Sequence, residues 1–158
     1  MFNVAFTDIL LFLLAILLVV AAAIDVRTFT ISNRLNLAVA LLAPVFWVAT
    51  GLSPWPGMAI QIAQAIAVFV LFAMAFYAGM MGGGDVKLAA ALALWFPLTD
   101  LVKFIVYMSL AGGVLTIGVI AFHKLRGREG RPQIPYGVAI AAGAFGILTQ
   151  RFLNQFAG

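Results

Sequence analysis

Two of the five acidic residues in this chain stand at the ends of long apolar segments, where a carboxylate is unusual. Asp25 directly follows LLVVAAAI, and Asp85 directly precedes another apolar segment. Ionisable groups at the edge of a bilayer core mark candidate functional sites. Two carboxyl groups that face each other share one proton, because both cannot easily ionise together. One can then act as general base on water while the other, protonated, polarises a carbonyl group.

Each of these two acids also has a purely structural interpretation. Asp85 opens a predicted helix, where aspartate is favoured as an N-cap and suits the positive end of the helix dipole. Asp25 ends a predicted helix, where the dipole disfavours a carboxylate, so its structural interpretation is a surface ion pair with Arg27 or Arg34. The remaining acids are interpreted as ordinary solvated charges; they are Asp8, Asp100 and Glu129.

Asp85 is preceded by three consecutive glycines, Gly82, Gly83 and Gly84. Because glycine has no Cβ, this backbone can adopt a positive φ and lets another chain approach closely. It therefore suits an extended peptide lying against a reacting group, and the alternative is a tight turn between two helices. Two polar residues complete the candidate site. Lys87 either contacts the substrate or lies in the first turn as a snorkelling lysine, and Asn33 either orients its loop or caps the next helix.

The composition indicates an integral membrane protein. Of the 158 residues, 65% are hydrophobic and 9% are charged, whereas a soluble domain has about 25% charged residues. We expect one compact bundle forming a single domain over residues 1–158. The absence of cysteine excludes disulfides, thiolate catalysis and cysteine-based zinc sites. The net charge of +4 indicates basic residues in cytoplasmic loops beside anionic lipid, not nucleic-acid binding.

Apolar segments near the length needed to cross a bilayer, about 20 residues, predict six spans. They cover residues 9–24, 35–50, 58–80, 86–96, 101–122 and 136–153. The fourth is short for a full crossing, which calls for tilt, local thinning of the bilayer or continuation past Pro97. Pro44 predicts a kink in the second span. GLSPWPG at 51–57 predicts a turn, and HKLRGREGRPQ at 123–133 predicts a solvated polar loop.

The distribution of basic residues predicts the orientation of these spans. One set of loops holds Arg27, Arg34, Lys87, Lys124, Arg126, Arg128 and Arg131. The positive-inside rule places this set in the cytoplasm and both termini on the other side. Asp25 and Asp85 then lie at the same depth on the cytoplasmic side. If the fourth span did not cross, the basic loop at 124–131 would face outward, which argues against that topology.

The segments that contain the two acids resemble the signatures of a known family. GGGDVK, residues 82–87, is similar to G-x-G-D-x-K, and DVRTFTISN, residues 25–33, is similar to an aspartate followed by Ile-Pro-Asn. Ser32 replaces the proline, while Asp25 and Asn33 stay in register. These motifs resemble the type IV prepilin peptidases, membrane aspartic peptidases of the GxGD kind. IPYGVAIAAG, residues 134–143, resembles the short members that serve tight-adherence (Flp-type) pili.

The resemblance, which covers nearly the whole chain, implies an aspartic endopeptidase of the bacterial inner membrane. It would cleave the short basic leader from Flp-type prepilins or pseudopilins at the cytoplasmic face, with Asp25 and Asp85 activating water. Larger members carry a methylation domain with paired CxxC motifs. Because this chain has no cysteine, we expect no methylation, no S-adenosylmethionine, no metal and no other cofactor. The implied partners are the substrate, the lipid bilayer and the pilus-assembly machinery.

Three alternatives belong to other classes or substrates. Paired acids also serve in small transporters or ion-conducting subunits, but those acids are expected near the bilayer midplane at broken helices. A non-catalytic pilus-assembly scaffold would not need both aspartates. An archaeal preflagellin-type or presenilin-like protease would use the same GxGD chemistry on another substrate. Replacing each aspartate with asparagine separates a scaffold from an enzyme.

Overall fold

The structure of the protein, a computed structural model, describes residues 4–127, 130 and 132–156. Within these residues the chain is helical, with no strand, which confirms the all-α prediction. Six helices follow one another: α1 Val4–Thr28, α2 Asn33–Ala49, α3 Ala59–Tyr77, α4 Gly83–Ala93, α5 Leu98–Leu125 and α6 Tyr136–Phe156. An irregular helical turn, Pro54–Met58, precedes α3. Each helix corresponds to one of the six segments that the hydropathy pattern predicted.

Four of these helices are long and apolar enough to cross a membrane, namely α1, α3 with the turn before it, α5 and α6. Helix α2 is shorter, with 17 residues, and α4 has 11. At a rise of 1.5 Å per residue, α4 is about 16 Å long, roughly half the thickness of a hydrocarbon core. The chain is therefore an all-α membrane protein in which one short helix cannot be positioned by the bilayer alone.

Hydrogen bonds from neighbouring helices hold the C-terminal end of α4. The last carbonyl groups of a helix have no partner within the helix. Here Trp47 Nε1 donates to the Leu94 carbonyl at 2.7 Å, and Gln64 Nε2 donates to the carbonyls of Ala93 and Phe96 at 2.8 and 2.6 Å. Leu88, Ala89, Leu92 and Ala93 of α4 are fully buried. Helix α4 therefore lies inside the bundle at a fixed depth, packed against α2, α3 and α6.

The ends of the helices follow local sequence signals. Ser32 caps α2, because its hydroxyl accepts a hydrogen bond from the Leu35 amide at 3.3 Å. Pro44 lies within α2 without ending it. The predicted turn at 51–57 joins α2 to α3, and Gly51 adopts a φ of 71° there. Helix α5 extends to Leu125, into the predicted polar loop, whose residues 128, 129 and 131 lie outside the described part of the chain.

Candidate active site

Asp25 lies in the last turn of α1 and is buried, with 2% of its surface exposed. Its Oδ2 accepts a hydrogen bond of 2.7 Å from the backbone N–H of Gly137, in the first turn of α6. First-turn amides have no partner within their own helix, and the dipole there favours a negative group. Among the described residues Asp25 forms no ion pair with Arg27 or Arg34, which was its structural interpretation. The partner of Asp25 is instead the N-terminus of another helix.

Because Gly137 has no side chain, the carboxyl group of Asp25 can approach the backbone at the start of α6. A Cβ at position 137 would lie 2.7 Å from Ile31 Cδ1 and 2.8 Å from Asp25 Oδ2, closer than non-bonded atoms approach. The sequence interpretation gave Gly137 no role. Its only signal was the IPYG segment, in which a proline and a glycine flank the start of a predicted helix.

Asp85 is the third residue after the N-cap of α4, which is Gly82 with φ −75° and ψ 147°. The prediction that Asp85 caps the helix is therefore wrong. Its carboxyl group lies in the first turn, 7% exposed, and Oδ1 is buried with no hydrogen-bond partner in the described part of the chain. A buried carboxyl oxygen without a partner is costly, and such a cost is typical of functional sites.

Burial raises the pKa of the Asp85 carboxyl group to about 7. The negative charge of Asp25 adds to the rise, and the backbone amide of Gly82 opposes it. Asp85 lies outside the helices that are long enough to cross a membrane. The two acids are therefore close enough to influence each other, although 60 residues of sequence separate them.

Ile31 joins the elements that carry the two acids. It lies in the segment between α1 and α2 and is 6% exposed. Its side chain contacts Gly137 of α6, and its backbone lies against Gly84 of α4. The C-terminus of α1 and the N-termini of α4 and α6 thus meet at one end of the bundle. The structure accordingly places Asp25 and Asp85 at the same end, as the topology predicted.

The comparison with protein families is consistent with this geometry. The sequence model of the type IV leader peptidase family matches residues 12–117, about two thirds of the chain, with Asp25 and Asp85 both inside the match. The chain belongs to this family. No curated protein and no solved structure matches the chain significantly. The protein is therefore a membrane hydrolase of the prepilin leader peptidase type, and Gly137 lies beyond the matched segment.

The three consecutive glycines before Asp85 have three different neighbours. A Cβ at Gly84 would lie 2.8 Å from the Ile31 carbonyl oxygen, a Cβ at Gly82 would lie 2.8 Å from Asp85 Oδ2, and one at Gly83 would meet only the Phe76 ring at 3.4 Å. None of the three adopts a positive φ; the positive φ of this connection is at Gly79, 71°. The close approach at Gly84 is made by the chain's own Ile31 backbone, so close approach by a substrate peptide stays a prediction, and the expected positive φ does not occur at these positions.

Lys87 and Asn33 pair with each other, away from Asp85. Lys87 Nζ donates to Asn33 Oδ1 at 2.8 Å. Because Ser32 caps α2, the interpretation of Asn33 as a cap is wrong. Asn36, which the sequence interpretation missed, is 4% exposed and donates from Nδ2 to the Gly84 carbonyl at 2.9 Å. These residues tie α2 to the first turn of α4 and so hold Asp85 indirectly.

A cavity of about 420 Å³ lies beside Asp85. Its walls are two non-helical segments, residues 79–82 before α4 and residues 132–134 before α6, together with Phe29, Asp85 and Tyr136; residue 131 is not among those described. Within these segments the N–H groups of Gly79 and Met80 and the carbonyls of Gly82 and Ile134 already bond within the chain, and other backbone groups outside the helices can pair with an extended peptide. The cavity is therefore suited to a stretch of polypeptide rather than to a helix.

The other acids stand away from this cavity. Asp100 forms ion pairs with Arg151 at 3.4 Å and with Lys103 at 3.6 Å, so it is paired and not simply solvated. Asp8 has a buried Oδ1 without a hydrogen-bond partner among the described residues. Glu129 lies outside the residues that the structure describes. The described side chains include no group of three or more His, Asp or Glu residues arranged to hold a metal.

We expect Asp85→Asn to make the protein more resistant to heat, and increasingly so as the pH rises from about 4 to about 7. Over this window the folded protein holds a proton on Asp85 that the unfolded chain, with its ordinary pKa of 3.8, has released. The wild type therefore loses stability with rising pH, and asparagine does not titrate. The measurement is the melting temperature in detergent, followed by tryptophan fluorescence.

The gain for Asp85→Asn should be at least about 3 °C larger near pH 7.5 than near pH 4.5. An equal gain at both pH values would contradict the raised pKa. Asp100→Asn is the matched control, since Asp100 is held in ion pairs, and it should give no gain at pH 7.5.

Proposed function

We propose that this protein is an aspartic endopeptidase whose Asp25 and Asp85 hydrolyse the bond between a prepilin leader and the hydrophobic helix that follows it. The observation that carries the proposal is that two buried carboxyl groups lie at one end of the bundle, close enough for the charge of Asp25 to raise the pKa of Asp85, and that Asp85 lines a cavity with non-helical walls. Such a pair supplies both the base and the acid that amide hydrolysis needs.

The hydrogen bonds support a division of roles between the two acids. Gly137 donates to Asp25 Oδ2, so this oxygen acts as an acceptor and the group suits the general base. Asp85, with its pKa raised to about 7, is the member that carries the shared proton and donates it to the scissile carbonyl oxygen. This is the arrangement of paired carboxyl groups whose environments differ.

The reaction then proceeds without a covalent intermediate. Asp25 takes a proton from water while the water oxygen bonds to the carbonyl carbon of the substrate. Asp85 protonates the carbonyl oxygen. The resulting tetrahedral intermediate loses its C–N bond, with the amine leaving after it receives the proton held by Asp25. As the C–N bond breaks, a hydroxyl group of the intermediate returns its proton to Asp85, so that the pair of acids again holds one proton.

The depth of the site supports a substrate whose helix lies in the membrane. A prepilin has a short basic leader followed by one apolar helix, which inserts in the bilayer and leaves the leader at the cytoplasmic surface of the inner membrane. The cleavage site then reaches the end of the bundle where Asp25 and Asp85 lie. The IPYG segment at 134–137 supports Flp-type prepilins as the substrate class within this family.

The experiment is cleavage of a purified Flp-type prepilin by the peptidase in detergent or liposomes. We expect one product, shortened by the leader, as measured by mass spectrometry, and undiminished cleavage in the presence of EDTA. Liposomes prepared without the peptidase control for contaminating proteases. Failure to cut any leader-bearing pilin, or loss of cleavage in EDTA with recovery on adding a metal ion, would overturn the proposal.

A further inference from the structure

Several apolar grooves run along the outside of the described part of the bundle, and two of them flank α3 and open sideways, toward the membrane. The first, here called the α2–α3 groove, has a volume of about 570 Å³; it lies over α4, between Leu37 of α2 and Ile66 of α3. The second, here called the α3–α5 groove, has a volume of about 280 Å³; it lies between Phe72 of α3, Gly113 of α5 and Ile140 of α6. Both have walls that are almost entirely apolar, so either could hold a hydrophobic helix.

The α3–α5 groove is continuous with the cavity beside Asp85. Met80, Met81 and Tyr136 line both spaces. The residues described around the α2–α3 groove include none that also lines the Asp85 cavity. At its polar end that groove has the Lys87–Asn33 pair instead. A polypeptide lying in the α3–α5 groove can therefore pass directly to Asp85, whereas one in the α2–α3 groove cannot.

The wall of the α3–α5 groove also suits close approach by a helix. Small residues allow two helices in a membrane to pack with their backbones close together. Here α5 contributes Ser109, Gly112 and Gly113, and a Cβ at Gly113 would meet no atom within 4 Å. The stretch from Ser109 to Thr116 corresponds to about two helical turns. The neighbouring helices α3 and α5 leave this side open, and most of the apolar surface of α5 is exposed.

We propose that the α3–α5 groove holds the first turns of the substrate's apolar helix, with the segment before that helix extended through the cavity beside Asp85. This inference rests on the proposed function. The occupant follows from continuity: the leader and the apolar helix of the substrate are one chain, so the place that holds the helix must connect with the place where the bond is cut. The groove is apolar where the helix lies, and the cavity offers backbone groups and a carboxyl group where the extended segment lies.

The first test narrows the groove without disturbing the bundle. Gly113→Phe places a ring in the groove, because the space around this position is open. Gly118→Phe is the matched control: it lies on the same helix, also with open space around it, and outside both grooves. We expect Gly113→Phe to lower kcat/KM for prepilin at least tenfold, mainly through KM, and Gly118→Phe to stay within twofold of the wild type. Unchanged cleavage by Gly113→Phe would overturn the inference.

The second test locates the substrate helix directly. Because the chain has no native cysteine, a cross-link can form only at the cysteine that is introduced. Gly113→Cys or Ile66→Cys is combined with Asp85→Asn to retain the uncut substrate, and a single cysteine is placed in the first turns of the prepilin helix. Disulfides form only when the two Cα atoms come within about 7 Å. We expect cross-linking at Gly113→Cys and not at Ile66→Cys. Cross-linking at Ile66→Cys, or at neither position, would overturn the inference.

These outcomes separate the inference from the proposed function. If the wild type cuts prepilin but the cross-link forms in the α2–α3 groove, only the position of the substrate helix is wrong. If the wild type does not cut prepilin, the proposed function itself fails.

Discussion

Replacing either Asp25 or Asp85 with asparagine is expected to lower the rate of prepilin cleavage about 10²–10⁴-fold, which is the range that a positioned general acid or base contributes. Asparagine has nearly the shape of aspartate but can neither take a proton from water nor carry the shared proton. The measurement is single-turnover cleavage of prepilin with enzyme in excess, which isolates chemistry from product release.

The control for this result is a carboxyl group elsewhere in the bundle. Asp100 is paired with Arg151 and Lys103 and lies away from the Asp85 cavity, so Asp100→Asn should retain activity within about threefold of the wild type. Melting curves of all three variants establish that each bundle is folded. If either Asp25→Asn or Asp85→Asn keeps a tenth of the wild-type activity, that residue is not part of the catalytic pair.

Much of the fold follows from length and hydropathy. Backbone groups inside a bilayer must be satisfied within their own segment, so each apolar segment near 20 residues becomes a helix. Proline and glycine then set the boundaries: α5 begins after Pro97, α6 begins after Pro135, and Gly51 turns the chain after α2. The number of crossings between Asp25 and Asp85 also follows from these segments, which is why their common end of the bundle could be predicted.

The contacts around the two acids could not be predicted in the same way. Asp25 bonds to Gly137, 112 residues further along the chain, and Asn36 bonds to the Gly84 carbonyl, 48 residues away. Such bonds depend on how each helix is rotated about its axis and on its depth. Hydropathy carries little of this information, because helices that face lipid on one side and protein on the other are apolar all round.

The capping of α4 shows the same limit at short range. The sequence GGGD offers four consecutive residues that can start a helix, and aspartate is the better N-cap by preference. The structure begins α4 one turn earlier, with Gly82 as the cap. This start allows the Gly84 backbone to lie against Ile31 and places Asp85 in the interior. The position of the N-cap thus follows from the contact with Ile31, whereas the local preference for aspartate would have placed the cap at Asp85.

Gly84→Ala is expected to lower both stability and activity, whereas Gly83→Ala should preserve both. At position 84 the new Cβ would lie 2.8 Å from the carbonyl oxygen and 3.0 Å from the amide nitrogen of Ile31. Both are backbone atoms, so the first turn of α4 must move away from the segment before α2. This movement displaces Asp85 and weakens the hydrogen bond from Asn36 to the Gly84 carbonyl. We expect at least about a tenfold loss of prepilin cleavage and a cost of about 1–3 kcal/mol, typical of overpacking.

Gly83→Ala is the matched comparison, since it changes the adjacent glycine in the same helical turn. Its Cβ would meet the Phe76 ring at 3.4 Å, an ordinary contact, and alanine favours a helix over glycine by about 1 kcal/mol. The melting temperature and the cleavage rate are measured for both variants. Both quantities should fall in Gly84→Ala, whereas neither should fall in Gly83→Ala. Because the clash at position 84 is with backbone, adding Ile31→Ala should not restore activity to Gly84→Ala. Restoration, or equal behaviour of the two glycine variants, would show that close approach at Gly84 does not position Asp85.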